Sequence, residues 1–248
     1  MIKTTRFRNL IIAVAATAFI TSCTEETDET PAITESEVTI SATLGISSLD
    51  DANARTSDLD YGNFSIESVK VSIDNVKLIL RTTSEDKKKP SIVQIRNNEP
   101  QILNLVEDGE VQIVQIGSVM AADGVYGKLN LDFVHADVPE DDEMHGLSIF
   151  AKVSWFGVPA EVSIDIEDEM LVQFNQGIEV AGAQDMLLTM YMDKFLEGVN
   201  PALVSDGNGD GLIEVGPDDV DGNGQAYDEI VSNIESALEM KNGKFKDK

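Results

Sequence analysis

Apolar and polar residues alternate with a period of two along most of the chain from about residue 37 onward. This alternation is typical of β-strands that bury one face, because successive side chains point to opposite sides of a sheet. The clearest runs are 38–44, 66–80, 110–119, 126–134, 147–155, 160–166 and 186–192. Since no helical period occurs among these runs, the pattern predicts an all-β domain over 37–197, built as an antiparallel β-sandwich.

Turn-forming residues separate the alternating runs. Segments 107–109, 122–124 and 156–159 each contain a glycine beside polar or proline residues, which is typical of tight strand connections. Within the run 66–80, the alternation shifts phase by one residue at Asp74-Asn75. This shift indicates either a β-bulge or a tight turn at that point.

The period changes only near the C-terminus. Apolar residues recur there at helical spacing, at Tyr227, Ile230, Val231, Ile234 and Leu238. Acidic residues near the start and Lys241 and Lys244 near the end suit the two ends of a helix dipole. The segment 198–248 is therefore predicted to hold one amphipathic α-helix of roughly four turns, packed on the edge of the sandwich.

The N-terminus has the three parts of an export signal. Lys3, Arg6 and Arg8 form a basic segment, and residues 10–20 form an uncharged apolar run. A transmembrane anchor is the alternative, but a spanning helix needs about 20 apolar residues and this run is far shorter. Residues 1–22 are therefore predicted to be a signal peptide.

Residues 20–23, Ile-Thr-Ser-Cys, resemble a lipobox, the recognition site of the bacterial lipoprotein signal peptidase. Ile20 and Ser22 depart from the Leu and the Gly or Ala that this site prefers. The resemblance implies cleavage before Cys23 and acylation of that cysteine, with palmitate among the acyl groups. Cys23 is the only cysteine, so the chain forms no internal disulfide. Several acyl chains on one residue would anchor it stably, whereas a single chain is marginal.

The residues after Cys23 are acidic and rich in threonine. An acidic cluster beside a lipidated cysteine resembles the tag that sends some lipoproteins to the outer face of the outer membrane. The alternative is a solvated tether, because this composition favours disorder by itself. Residues 23–36 are therefore predicted to be an acidic linker, and the protein to be lipid-anchored in the cell outer membrane and exposed to the exterior.

The chain is strongly acidic, with a formal net charge of −27. Removing the signal peptide removes three basic residues and no acidic one, so the mature chain is more acidic still. Proteins bind nucleic acids and anionic lipid surfaces through lysine and arginine, so the negative charge of this chain argues against both as partners. It suits an extracellular domain that binds cations.

Three short segments, 65–78, 103–105 and 124–131, carry a resemblance, and the last has the pattern Gly-x-Tyr-x-x-Leu-x-Leu. They are similar to the opening pattern, the second segment and a strand of a family of uncharacterised bacterial lipoprotein domains, which have a transthyretin-like or immunoglobulin-like β-sandwich. In the last segment, Tyr126 is predicted to enter the core with its hydroxyl bound to nearby backbone, as in a tyrosine corner. The resemblance covers about residues 37–197 and implies fold and location, because the family has no established activity.

The segment 206–214 has the spacing of the first nine positions of an EF-hand-type or dockerin-like calcium loop. Gly211 allows the sharp turn at position 6. The predicted ligands at positions 1, 3, 5, 7 and 9 are Asp206, Asn208, Asp210, the carbonyl of Leu212, and Glu214. Calcium is a hard cation that takes six to eight oxygen ligands, and this segment supplies most of them.

The motif then departs from the EF-hand pattern. Pro217 stands at position 12, where a bidentate acid is expected, and Asp218 follows it. Closure by Asp218 would restore the missing ligand. No helical pattern precedes Asp206, so the segment is predicted to be a calcium loop without a complete EF-hand.

A second stretch, 219–225, repeats the Asp-x-Asp-x-Asn-Gly spacing. Its Asp219, Asp221 and Asn223 are possible additional metal ligands. The alternative is an ordinary turn, because Asp-Gly and Asn-Gly pairs favour turns. We expect Ca²⁺ to have a structural role, in which its binding energy becomes folding energy.

Two functions fit these features. The first is a non-enzymatic surface module that binds a glycan or a surface protein, or that serves envelope structure, with a structural calcium site. The second is an extracellular polysaccharide hydrolase, or an accessory subunit of one, that uses a carboxylate pair. Candidate side chains for a second site are Trp155, Phe156, His135, His145, Asp165, Glu167, Asp168 and Glu169.

Overall fold

The computed structural model describes residues 34–47, 64–80, 92–96 and 99–242. The predicted signal peptide, Cys23 and the linker up to residue 33 lie outside these ranges. The strands are β1 (Glu35–Gly45), β2 (Phe64–Leu80), β3 (Ile92–Ile95), β4 (Gln101–Glu107), β5 (Glu110–Val111), β6 (Val114–Ala122), β7 (Gly124–Phe133), β8 (Ile149–Trp155), β9 (Val158–Ile164), β10 (Asp168–Val180), β11 (Gln184–Tyr191), β12 (Ile213–Val215) and β13 (Leu238–Asn242).

Helical structure is sparse. The helices are α1 (Met192–Phe195), α2 (Gly224–Asn233) and the 3₁₀ turns Pro201–Leu203 and Glu235–Ala237. None of the helices within the described ranges has the length and apolar character needed to cross a bilayer. The predicted all-β class is confirmed.

The strands form two mixed sheets. One has the order β13-β11-β1-β6; the other has the order β10-β7-β2-β8-β9-β12, with β3 and β4 also paired to β2 and β5 to β4. The prediction of purely antiparallel pairing is wrong, because β1 pairs with β11, and β9 with β12, in parallel. Parallel neighbours need a long crossover connection, and both pairs join strands that are far apart in the chain.

The apolar positions of the alternating runs form the core. Val38 and Ile40 on β1, and Val71 on β2, are fully or almost fully buried, while the polar residues between them lie on the other face. One continuous hydrophobic cluster contains side chains from both sheets and from α2. The period-two pattern of the sequence therefore marks the buried face of each sheet.

The phase shift in β2 is a bulge within one continuous strand. Asn75 has a φ of 48°, and the register between β2 and β7 shifts between Asp74 and Lys77. Asn tolerates this left-handed conformation better than most residues do. The strand bends there without ending, which settles the choice between a bulge and a turn.

The predicted tyrosine corner is present. Tyr126 is fully buried, and its hydroxyl donates a hydrogen bond of 3.0 Å to the carbonyl of Ala122. Burial, with the nearby charge of Asp123, raises the pKa of Tyr126. The buried hydroxyl therefore stays protonated and ties the β6–β7 turn to the core.

The two ends of the long strand β2 define two ends of the domain. At one end, Leu80 pairs with Tyr126, and the carbonyl of Thr34 accepts a hydrogen bond from the backbone of Asp123. At the other end, Phe64 pairs with Trp155. The chain thus enters the domain at the Leu80 end, roughly 50 Å along β2 from the Phe64 end at the usual strand rise.

The C-terminal segment is built differently from its prediction. Helix α2 ends at Asn233, so the four-turn helix is wrong, and Leu238 begins strand β13 instead of ending a helix. Lys241 lies in this strand, and Lys244 lies outside the described residues. Leu238 and Met240 are both buried and pair with β11, and this packing outweighs the helical spacing of the segment. Segment 198–248 thereby contributes a strand to each sheet.

Candidate metal site

The loop 206–212 leads directly into strand β12 at the edge of the larger sheet. Ile213 pairs with Ala160 of β9, and Glu214 lies beside Glu161 in the same register. Since β9 follows the hairpin turn after Trp155, the loop lies near the Phe64 end of the domain. The site is therefore far from the point where the chain enters the domain at Thr34.

Asp206 organises the first half of the loop. One of its carboxylate oxygens accepts hydrogen bonds from the backbone N–H groups of Gly209, at 2.6 Å, and Asp210, at 3.2 Å. The other oxygen accepts the N–H of Gly211 at 2.8 Å. Gly209 and Gly211 have φ values of 81° and 95°, which glycine adopts without steric cost. The loop is thereby wound around the Asp206 carboxylate.

Three further side chains predicted as ligands converge on each other. The amide nitrogen of Asn208 lies 3.2 Å from Oδ2 of Asp210 and 3.5 Å from Oε2 of Glu214. The amide oxygen of Asn208 accepts the N–H of Asp210 at 2.9 Å. Positions 3, 5 and 9 of the motif therefore meet around one point, which is occupied here by the donor end of the Asn208 amide.

Glu214 lies close to several other carboxylates. Its pKa is raised mainly by burial, with further increases from the charges of Asp210, Asp221 and Glu161. These carboxylates destabilise one another when all are ionised. A bound cation would reverse this effect.

The remaining predicted ligands of the first loop are less clearly placed. The N–H of Leu212 donates to Oδ1 of Asp210 at 2.9 Å, which holds the backbone on the N-terminal side of Leu212 against the Asp210 carboxylate. Asp218 makes no hydrogen bond or ion pair with the residues that the structure describes. It lines a surface pocket of about 80 Å³ together with Glu214, Glu161 and Asp219. Asp218 and Glu214 therefore share a cavity without touching.

The second stretch uses its polar side chains to hold backbone. Asp219 accepts the N–H of Gly224, the first residue of α2, at 2.6 Å. Asn223, which is only 2% exposed, accepts the N–H of Ser205 at 3.1 Å and donates to the carbonyls of Ser205 and Glu214, each at 2.9 Å. Asp221 is also buried and binds the backbone of the first loop. These three possible ligands thus point into backbone groups.

A close backbone approach joins the two stretches. A Cβ atom added at Gly207 would lie 2.1 Å from the carbonyl oxygen of Asp221, far inside any allowed contact. Only glycine fits there, so Gly207 is required by packing. The sequence motif treats this position as variable, and nothing in the spacing indicates the contact.

The oxygen ligands of the loop suit a hard divalent cation, but carboxylates alone do not complete the coordination sphere. Among the described residues, no three His, Cys, Asp or Glu side chains are grouped closely enough to hold a metal by themselves. Asn208 and the Leu212 carbonyl would have to complete the set. Every candidate donor is an oxygen, which suits calcium and disfavours zinc or copper.

The carboxylates named for a hydrolytic pair have local partners: His135 lies between Asp165 and Glu167, and Asp168 accepts the N–H of Glu169. Asp165 hydrogen-bonds His135, while Glu169 binds Lys77 at 3.1 Å and Asn130. The imidazole of His145 lies 3.3 Å from the carbonyl of Val138. These contacts use the carboxylates in local ion pairs and hydrogen bonds.

The acidic loop between His135 and His145 is held by ion pairs and by a buried side chain. Glu143 forms ion pairs with Lys70 at 2.8 Å and with Lys152 at 2.6 Å, and the adjacent Met144 is fully buried. The Lys152 and Lys70 hydrogen bonds lower the pKa of Glu143. The loop is therefore attached to β2 and β8.

The two aromatic residues at the end of β8 differ in environment. Trp155 packs edge-on against Phe64, with ring centroids 5.4 Å apart. Phe156 is 59% exposed and has a φ of 52° in the turn before β9. Trp155 thus packs against the hydrophobic core, whereas Phe156 lies at the surface.

Two apolar cavities lie within the core. Their volumes are about 50 and 20 Å³, and both are lined by aliphatic and aromatic core side chains. Small-molecule sites usually have about 300 to 1,000 Å³. These spaces are packing defects between the sheets and the C-terminal helices.

Glu161 is a neighbour of the site that sequence reasoning missed. It lies on β9, distant in sequence from the loop, and only the parallel pairing with β12 brings it beside Glu214. Comparison with known proteins adds no further assignment: no protein family, curated protein sequence or solved structure matches this chain.

Proposed function

We propose that this protein is a cell-envelope lipoprotein, anchored through acylated Cys23, whose exported domain is a non-enzymatic binding or structural module with a structural calcium site. The convergence of Asn208, Asp210 and Glu214 within the loop wound on Asp206 carries this proposal. The spacing motif selects these residues as ligands, and the fold brings the Asp210 and Glu214 carboxylates together around the Asn208 amide.

Charge supports the same conclusion. Residues 195–240 contain no lysine or arginine, so the loop has no basic side chain of its own segment to offset its carboxylates. Glu161 on the neighbouring strand adds a further negative charge. A divalent cation would relieve this repulsion, and its binding energy would be added to the stability of the fold.

The predicted ligands would coordinate Ca²⁺ through both charged and neutral oxygens. Asp206, Asp210 and Glu214 would supply charged oxygens, and Asn208 and the Leu212 carbonyl would supply neutral ones. Asp218 would close the sphere from the adjoining pocket. The Asn208 amide would have to present its oxygen instead of its nitrogen.

The domain architecture is proposed to be a β-sandwich closed by the C-terminal segment. The single hydrophobic cluster that includes side chains from both sheets supports this assignment. Strands β12 and β13 attach the calcium loop and α2 to one sheet each. A cation in the loop would therefore stabilise the sandwich as a whole.

The loop and the point where the chain enters the domain lie at different ends of the domain. Thr34 lies at the Leu80 end of β2, while the loop lies near the Phe64 end. We expect a partner to bind at the Phe64 end, where the cation loop lies.

Two experiments test the proposal. Isothermal titration of Ca²⁺ into the chain from residue 24 onward should give one site, with Asp210→Asn weakening it and Asp228→Asn, at an exposed position of α2, leaving it unchanged. Absence of heat from calcium at millimolar concentration would exclude the calcium site.

The anchor is tested separately in cells. Cys23→Ser should move the protein from the detergent phase to the aqueous phase on phase separation and should abolish labelling by a fatty-acid analogue. Thr24→Ser is the control and should retain both properties. Equal partition of the two variants would refute lipidation at Cys23.

A further inference from the structure

Asp221 is the most buried carboxylate that contacts the loop, with 7% of its surface exposed. Its Oδ1 accepts the N–H of Asn208 at 3.0 Å, and its Oδ2 accepts the N–H of Glu214 at 2.7 Å. Asn208 and Glu214 are positions 3 and 9 of the motif. One side chain therefore bridges the two backbone segments that carry converging donors.

Both carboxylate oxygens of Asp221 are directed at backbone. The carboxylate makes no hydrogen bond to the side chains of Asn208, Asp210 or Glu214 within the described part of the chain. Its own carbonyl packs against Gly207, so the residue lies beneath the loop, on backbone. An ionised carboxylate that accepts two N–H groups forms strong, charge-assisted hydrogen bonds.

From this geometry we infer that Asp221 is a positioning residue for the cation loop: it holds Asn208 and Glu214 at their binding separation before a cation arrives, and it does not ligate the cation. This inference rests on the proposed calcium site. It reverses the assignment that sequence spacing suggests, in which Asp221 is an additional ligand.

The two roles give different results in Asp221→Asn. This variant keeps the size of the side chain but presents an NH₂ group to one of the two backbone N–H groups, which breaks one contact. A positioning role predicts that the order of the cation-free loop and the affinity for Ca²⁺ fall together, with affinity falling about tenfold, the factor for one hydrogen bond to a charged group. A ligand role predicts lower affinity and an unchanged cation-free loop.

Europium luminescence counts the ligands directly. Eu³⁺ prefers oxygen donors, and its excited-state lifetimes in H₂O and D₂O give the number of bound water molecules. Loss of a protein ligand lets water enter the coordination sphere. The positioning role predicts the same number of waters in wild type and Asp221→Asn, whereas one or more extra waters in the variant would overturn it.

Amide hydrogen exchange in chelator provides the second measurement, and it needs no variant. The amides of Asn208 and Glu214 should already be protected in the cation-free wild type, so a lack of folding in Asp221→Asn would not remove the test. Exchange of both amides at the rate of unstructured peptide would overturn the inference. Asp228→Asn removes the same charge from the exposed face of α2, and it should match wild type in affinity, hydration and exchange.

Failure of the calcium proposal would look different. If wild type bound neither Ca²⁺ nor Eu³⁺, both proposals would fall. If wild type bound Ca²⁺ and Asp221→Asn bound it equally tightly, only the positioning role would fall.

Discussion

The two Asp/Asn/Gly-rich stretches in the C-terminal segment have nearly the same sequence spacing but different structural roles. In 206–214, Asn208, Asp210 and Glu214 converge on each other. In 219–225, Asp221 and Asn223 turn inward and bind backbone groups. The first stretch gathers oxygen donors at the surface, and the second stretch holds that arrangement to the sheet and to α2.

This difference follows from burial. A buried carboxylate or amide must find hydrogen-bond partners, and the backbone of the first stretch provides them for Asp221 and Asn223. Asp206 also accepts backbone N–H groups, but it is only half-buried, and Asp210 is exposed, so solvent reaches both carboxylates. Spacing alone selects residues able to bind a cation, and burial decides which of them are free to do so.

The largest effect is expected from Gly207→Ala, which separates the two stretches. The added Cβ would lie 2.1 Å from the Asp221 carbonyl oxygen. Because that atom belongs to the backbone, relieving the clash requires a shift of the main chain. We expect a loss of about 3 kcal/mol in unfolding free energy, at the upper end for overpacking. Urea denaturation in chelator measures it.

Gly216→Ala is the matched control. Its Cβ would lie 3.5 Å from Ser163, an ordinary contact, so stability should change by less than about 0.5 kcal/mol. Equal effects of the two substitutions would show that the contact between the stretches is not tight.

The next effect is expected from Asn223→Ala. The variant would remove three hydrogen bonds and leave the carbonyls of Ser205 and Glu214 without their amide partner. Loss of buried partners predicts about 2 kcal/mol of destabilisation. Asn200→Ala, which loses one exposed hydrogen bond to Ala202, should cost less than half as much in the same urea titration. A smaller loss in Asn223→Ala than in Asn200→Ala would contradict the holding role of the second stretch.

A smaller effect is expected from Asp219→Asn. Its carboxylate accepts the N–H of Gly224 at the positive end of α2, and the amide keeps an acceptor but loses the charge. The expected loss is about 0.5 kcal/mol, and it should shrink in high salt. Asp218→Asn, measured in chelator, is the control, because Asp218 has no hydrogen bond with the described residues. A loss that does not depend on salt would argue against the helix-end interaction.

The smallest effect, with a change of sign, is expected from Glu214→Gln. Because the pKa of Glu214 is raised in the folded state, the native protein holds its proton to higher pH than the unfolded chain. Stability in chelator should therefore fall as pH rises above 4.5, the ordinary value, and the variant should lack this fall. At pH 7 the variant should melt slightly higher than wild type in chelator and lower in calcium. A variant that melts lower in both conditions would contradict the repulsion described for Glu214.

The sequence predicts much of the fold because burial of one strand face imposes a period of two. It also predicts an irregularity at Asp74-Asn75, as either a bulge or a turn, and the hydroxyl contact of Tyr126, since both depend on local residues. It does not predict the parallel pairing of β1 with β11, which joins residues far apart in the chain. Leu238 illustrates the limit: its spacing fits a helix, but pairing with Met190 places it in a strand.

The candidate site divides in the same way. The spacing of 206–214 identifies the donors that meet in the structure, because a tight loop brings positions 3, 5 and 9 together through local turns. The roles of Gly207, Glu161 and Asp221 depend on contacts between separate segments. No local pattern encodes those contacts.

Thermal melting of the chain from residue 24 onward, in chelator and in millimolar Ca²⁺, tests the central claim most directly. A cation that binds only the folded state, and that is supplied at a concentration about 100 times its dissociation constant, adds about 2.7 kcal/mol to the free energy of unfolding. For a domain of this size, that corresponds to a rise of about 5 to 10 °C in melting temperature. We expect this rise for wild type and its loss in Asp210→Asn, whereas identical melting of wild type with chelator and with calcium would contradict a structural calcium site.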